Sequence, residues 1–362
     1  QPDLGQDAIY KHGDNVFLFN AVGAGDWALE NYTANTIQAY HNVWGFGADV
    51  DARIYDDDED GALGEVLFDP WTLYVVDQGG AVVTDTHWKA DIIRVTSDVT
   101  VADGATLSIE PGVRVEFMGH YSIQVDGTIT AEGLEAAPIE FTQADPTDWD
   151  DVDQPEVGGW NGIHIDTDSD AASFEHCVFQ YAKRVTFDHD DWQSGDLGGA
   201  LSVTGTPTLT VRACVFDHCF AFQGGAIGLS ESSVRLEDNV FQDNLCVRNG
   251  GAVYCTGGAP KIVGNVFAGN QTSYNAMFAG FMGGALACAN STASVTGNRF
   301  TGNTAARYGG GVYGGASSMT LSDNTFETNQ AQKGGAYASD AAADVVRGNL
   351  FFANSATSDA GG

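Results

Sequence analysis

Residues 224–253 read GGAIGLSESSVRLEDNVFQDNLCVRNGGAV, and the fold is decided there. Gly224-Gly225-Ala226-Ile227 opens the stretch, Phe241-Gln242-Asp243-Asn244 lies inside it, and Gly250-Gly251-Ala252-Val253 begins the cycle again. Between these marks sit two short alternating runs, Ile227-Gly228-Leu229 and Val234-Arg235-Leu236. Alternation of that kind marks a strand with one buried face.

Outward from this cycle the same marks return. Gly-Gly-Ala followed by an aliphatic or aromatic residue starts at Gly198, Gly224, Gly250, Gly283 and Gly334, with Gly309-Gly310-Gly311-Val312 as a variant. The starts are 26, 26, 33, 26 and 25 residues apart. Phe-x-x-Asn recurs at Phe241/Asn244, Phe267/Asn270, Phe300/Asn303, Phe326/Asn329 and Phe351/Asn354, and Phe216 with Cys219 fills the slot one coil earlier. A fixed period of this length is the mark of stacked supersecondary units. Strands of three to five residues that recur at this interval cannot hold register as hairpins. They can pair with their own counterpart one coil away, at the parallel spacing of about 4.8 Å. The expected fold is therefore all-β, a right-handed parallel β-helix with coils of about 25 residues, its hand following the usual sense of parallel crossovers. Each Phe should stack on its counterpart, and each Asn should donate its amide to the turn of the next coil. The glycine pairs supply turns with unrestricted φ and no obstructing side chain.

The alternating motifs of residues 170–362 resemble those of the chlamydial polymorphic outer-membrane proteins. That resemblance implies a pectate-lyase-like right-handed β-helix exposed at a cell surface.

Residues 88–142 show clean alternation with glycine or proline at each turn, as in Pro111-Gly112-Val113-Arg114-Val115-Glu116-Phe117. They resemble the opening coils of secreted bacterial β-helix proteins, as does Trp160-Asn161-Gly162-Ile163-His164-Ile165. The expected organisation is a terminal-type β-helix segment at 1–72, a linker at 73–87, and the β-helix at 88–362. Within the last, 88–169 would be opening coils and 170–362 the repeat coils. The sequence stops where another Gly-Gly-Ala is due. This leaves two expectations: a longer chain, or head-to-tail stacking of subunits into filaments.

Composition narrows the function. Forty-nine acidic residues against 15 basic ones give a formal charge of −34. Such a surface repels nucleic acid and anionic membranes and attracts divalent cations. No run of 18 apolar residues is present, so direct membrane insertion is not expected. The expected setting is extracellular or cell-surface, with calcium as a possible counter-ion. The expected partners are a second copy met end to end, or another surface protein or glycan.

Candidate sites follow from clusters. Asp56, Asp58 and Asp60 place carboxylates at alternate positions before Gly61, although the twelfth position of a calcium loop would be Leu67. Asp148, Asp150 and Asp151 belong to a second acidic loop, and calcium binding competes there with simple solvation. The insertion after Phe179 carries Asp188, His189, Asp190 and Asp191 beside Trp192, the catalytic candidates of a carbohydrate-active alternative. The insertion after Asn270 carries Tyr274, Met277, Phe278, Phe281 and Met282, either an exposed partner-binding cluster or a flap folded over a sheet. Cys177 and Cys214 share one slot of the coil, and Cys255 and Cys288 share another. They are read either as bridges or as buried thiols. Together these features favour a non-enzymatic structural or adhesive role. A polysaccharide hydrolase or lyase is the alternative, and a passive spacer in a giant surface protein is a third reading.

Overall fold

The computed structural model describes residues 75–358 except 167–168, 170, 186–195, 206–207, 273–280 and 341–342, together with a few short segments before residue 75. Among the described residues there is no helix. The chain is an all-β parallel β-helix.

Three sheets wind along it. The first runs from the front of Ile92–Val101 through Arg114–Phe117, Ile139–Gln143, Cys177–Gln180 and Val215–Asp217 to Leu350–Phe352. The second takes the back half of Ile92–Val101 and continues through Ile123–Val125, Ile163–Ile165, Leu201–Thr204 and Ile227–Ser230 to Tyr337–Ser339. The third stacks ten strands from Thr86–Trp88 to Val345–Arg347. A short fourth ladder begins at Lys183–Arg184 and passes through Phe220–Gln223 and Leu245–Asn249 to Gln271–Thr272. Pairing between named strands is parallel throughout, with each residue opposite its counterpart one coil on, as in Phe216↔Phe241 and Leu201↔Ile227.

That register makes the core columnar. Phe141, Phe179, Phe216, Phe241, Phe267, Phe300, Phe326 and Phe351 form one face-to-face stack, with centroids 4.7–4.9 Å apart and planes within 9°. Coil spacing sets this geometry, because parallel strands lie at nearly the separation at which rings touch. Ile109, Ala131, Phe174, Val211, Leu236, Ile262, Val295 and Leu321 fill the facing column of the third sheet.

Two asparagine ladders satisfy the bends. One contains Asn244, Asn270, Asn303, Asn329 and Asn354; the other contains Asn239, Asn265, Asn298, Asn324 and Asn349. Asn244 Nδ2 donates to Asn270 Oδ1 at 2.9 Å, and the Asn244 backbone N–H donates to the same oxygen at 3.1 Å. Cys214 and Cys219 stand on the first rungs, their backbone N–H groups bound by Asn239 and Asn244 Oδ1 at 3.0 Å. The residue before each rung takes a left-handed conformation, as at His218 (φ 53°), Asp243 (φ 51°) and Gly269 (φ 66°).

The glycine pair has two separate reasons. Gly224 has φ +66°, whereas a Cβ on Gly225 would lie 2.2 Å from the Gly251 carbonyl oxygen one coil away. The first glycine turns the chain, and the second lets successive turns touch.

The expected linker at 73–87 needs correction. Val75–Val82 pairs along Ile92–Val101, and Thr86–Trp88 starts the third sheet. Gly79-Gly80 sits at an irregularity where the register shifts between Gln78 and Gly80, and Gly80 has φ +78°. Bulges of this kind bend a strand around a corner without ending it. Within 1–72, Val16–Phe17, Leu29–Glu30 and Ile37–Gln38 pair in parallel with Val43–Trp44, Ile54–Tyr55 and Val66–Leu67.

Candidate functional site

The longest described excursion from the regular coil is the acidic loop between Gln143 and Trp160. Its centre is a lysine. Lys183, fully buried, donates from Nζ to the carbonyl oxygens of Asp148, Gln154 and Val157 at 3.0, 2.8 and 2.8 Å. Burial pushes its pKa down to about 8, partly opposed by the charges of Asp151, Asp150 and Asp148. Inward-facing carbonyls around one positive charge are what a bound cation would also recruit, and here an ammonium does that work. The Asp151 carboxylate turns to the loop itself, accepting from the Asp153 backbone N–H at 2.9 Å and from Gln154 Nε2 at 2.9 Å. Hydrogen bonds from those donors hold Asp151 below the usual carboxylate range, and bonds from Thr147 do the same for Asp145. Asp148, Asp150 and Asp151 therefore do not converge as a ligand set. Asp56, Asp58 and Asp60 lie outside the described residues.

The loop folds back over the fourth ladder. Trp149 and Val152 pack against a small apolar cluster of Val185, Phe220, Phe222 and Val247, separate from the main core. This brings Trp149 beside the turn that follows Phe216. There the His218 ring meets Trp149 edge-on, centroids 5.2 Å apart, and Tyr181 lies 5.6 Å from His218 and 6.2 Å from Trp149. Asp217 is buried, and one of its oxygens contacts His218 Nδ1 at 2.5 Å. Gln180 Nε2 donates to its other oxygen at 3.0 Å. Asp243 occupies the His218 position one coil on, and the ligand atoms of Asp217, His218 and Asp243 all lie within 4.8 Å of one another. No other trio of His, Cys, Asp or Glu side chains among the described residues comes so close. Sequence reading missed this group although its signal was present: His218 and Asp243 each stand two residues after the repeat phenylalanine.

The remaining expected residues fall as follows. Asp188, His189, Asp190 and Asp191 lie outside the described residues, as do Tyr274, Met277 and Phe278. Phe281 is 2% exposed, so it is a buried residue and not part of an exposed partner patch. Its backbone N–H donates to the Arg248 carbonyl, which pulls the end of that insertion into the ladder. Met282 is half-buried and bridges Asn249 and Tyr308 in parallel.

All six cysteines are free thiols and buried. Cys255 faces Cys288 in register. The hydrogen bond that Cys288 makes to Cys255, then burial, pushes the Cys288 pKa up, and burial pushes Cys219 up to about 12. Thiols held protonated in this way act as small apolar core groups.

Residues 198–361 match a family model described as right handed beta helix region, which agrees with the ladder geometry and gives its hand. No curated protein and no solved structure matches the chain.

Proposed function

We propose that the protein is a structural or adhesive rod that works outside the cytoplasm and joins end to end with other copies. The observation that carries this reading is the unbroken ladder. One phenylalanine stack runs from Phe141 to Phe351, beside two buried asparagine ladders. Such an object resists bending, because each coil is bonded to its neighbours along three sheets. The charge of −34 supports an exposed, soluble setting in which divalent cations, calcium among them, relieve self-repulsion.

Electron microscopy of the native protein, with and without a chelator, tests the reading. Filaments of uniform narrow width support it, and chelator sensitivity assigns the cation a part. Isolated short rods at high concentration, with retention on a polysaccharide array, would instead favour the carbohydrate-active alternative. The aromatic wall of Trp149 and Tyr181 beside two carboxylates is what that alternative has in its favour.

A further inference from the structure

We infer that Asp217, His218 and Asp243 form a binding site for one divalent transition-metal ion of the zinc class, which braces two successive coils beneath the acidic loop. Three observations lead there.

The first is charge. His218 Nδ1 meets one oxygen of Asp217, and the ligand atoms of these two residues and of Asp243 all lie within 4.8 Å of one another. Two carboxylates therefore converge on one imidazole. No ion pair among the described residues joins Asp217 or Asp243 to a lysine or arginine. A divalent ion balances the charge of two carboxylates.

The second is rigidity. Asp217 is buried and fixed by Gln180, which orients a ligating carboxylate as outer partners do in metal sites. Trp149 and Tyr181, themselves in contact, both pack against the imidazole. The His218 backbone N–H donates to the Gln242 carbonyl, so the two turns are already spaced by a ladder bond. Asp243 has its room because Gly269 follows one coil on; a Cβ there would lie 2.4 Å from Asp243 Oδ1.

The third is donor chemistry. One imidazole and two carboxylates suit zinc or manganese, whereas calcium and magnesium take oxygen ligands alone. Asp243 and the His218 edge are solvent-facing, which leaves positions for water.

The neighbouring turn column supplies an internal control. Asp238 sits over Gly264 as Asp243 sits over Gly269, also with a left-handed backbone, but Ala213 occupies the position of His218. A carboxylate over glycine is thus common to both columns, and only one has the histidine and the buried Asp217.

The test uses the full chain, stripped with a chelator and titrated calorimetrically with zinc chloride and, separately, calcium chloride. His218→Asn and Asp243→Asn tolerate the left-handed backbone and remove one ligand each, and Asp238→Asn is the control. The expected result is one equivalent of zinc, an affinity at least about tenfold weaker in His218→Asn and in Asp243→Asn, and no change in Asp238→Asn. Bound cobalt should show a visible absorption that alters in His218→Asn, and zinc should raise the unfolding temperature of the parent but not of that variant. Absence of saturable binding would overturn the proposal. So would equal losses in Asp238→Asn, or calcium binding as tightly as zinc, since either would mean ions spread over an acidic surface. Circular dichroism of each variant separates loss of a ligand from loss of the fold.

Discussion

Asn270→Ala removes one rung from the middle of a buried ladder, and the structure sets the cost. Asn270 Oδ1 accepts from both the backbone N–H and the Nδ2 of Asn244, and its Nδ2 donates to the Phe241 carbonyl and to Asn303 Oδ1. Alanine leaves two donors of Asn244, itself 1% exposed, facing a space without an acceptor. An orphaned buried donor costs about 1–3 kcal/mol, so the loss should be about 4 kcal/mol. At 1.4 kcal/mol per tenfold this is roughly a thousandfold in the opening equilibrium of that turn. Asn270→Asp should be no better, because its second oxygen would face the Phe241 carbonyl and Asn303 Oδ1. Urea unfolding gives the global figure, and native-state hydrogen exchange over residues 239–246 gives the local one. A loss below about 1 kcal/mol for Asn270→Ala, with Asn244 amide protection unchanged, would show that the ladder is a consequence of stacking and not a support of it.

Three other expectations use different parts of the fold. Gly225→Ala drives a Cβ into two backbone carbonyls, at 2.2 and 2.4 Å, and should cost more than about 3 kcal/mol by thermal unfolding; Gly302→Ala, with φ +64° and open space around it, should cost only about 1–2 kcal/mol. Lys183→Met withdraws the charge that gathers three carbonyls of the acidic loop, so limited proteolysis between residues 145 and 158 should speed up about 10- to 100-fold while the circular dichroism of the coils is unchanged. His164 is held neutral, its pKa lowered from 6.5 to about 4 by burial and then by Arg184. The unfolded chain takes up a proton there first, so stability is full above pH 6.5 and falls as the pH drops through 4, by at most about 3 kcal/mol; denaturation midpoints of the parent and of His164→Gln should converge or cross across that window.

What the sequence by itself determined is whatever repeats. A parallel β-helix places residue i against its counterpart one coil later, so an interaction along the axis is written as a period. Phe241 to Phe267, Asn244 to Asn270 and Gly224 to Gly250 could all be paired on paper, and the structure pairs them. The stack also reaches back to Phe141, where the spacing had stretched to 38 residues before Phe179 and the period no longer pointed to it.

What only the tertiary structure decided is whatever happens once. The Gly79-Gly80 irregularity lies within a strand where a linker is expected. Lys183 gives no sign in the sequence that it will gather the carbonyls of a loop some 30 residues before it. Phe281 looks like a surface aromatic until its backbone is drawn into the ladder. His218 and Asp243 are one coil apart and thus legible as neighbours, but Trp149 joins them only because its own loop must bury apolar surface on Phe220 and Phe222. Stacking energy acts between like positions and leaves a periodic trace. Burial of a single loop acts between unlike positions, chosen by shape and apolar area, and leaves none.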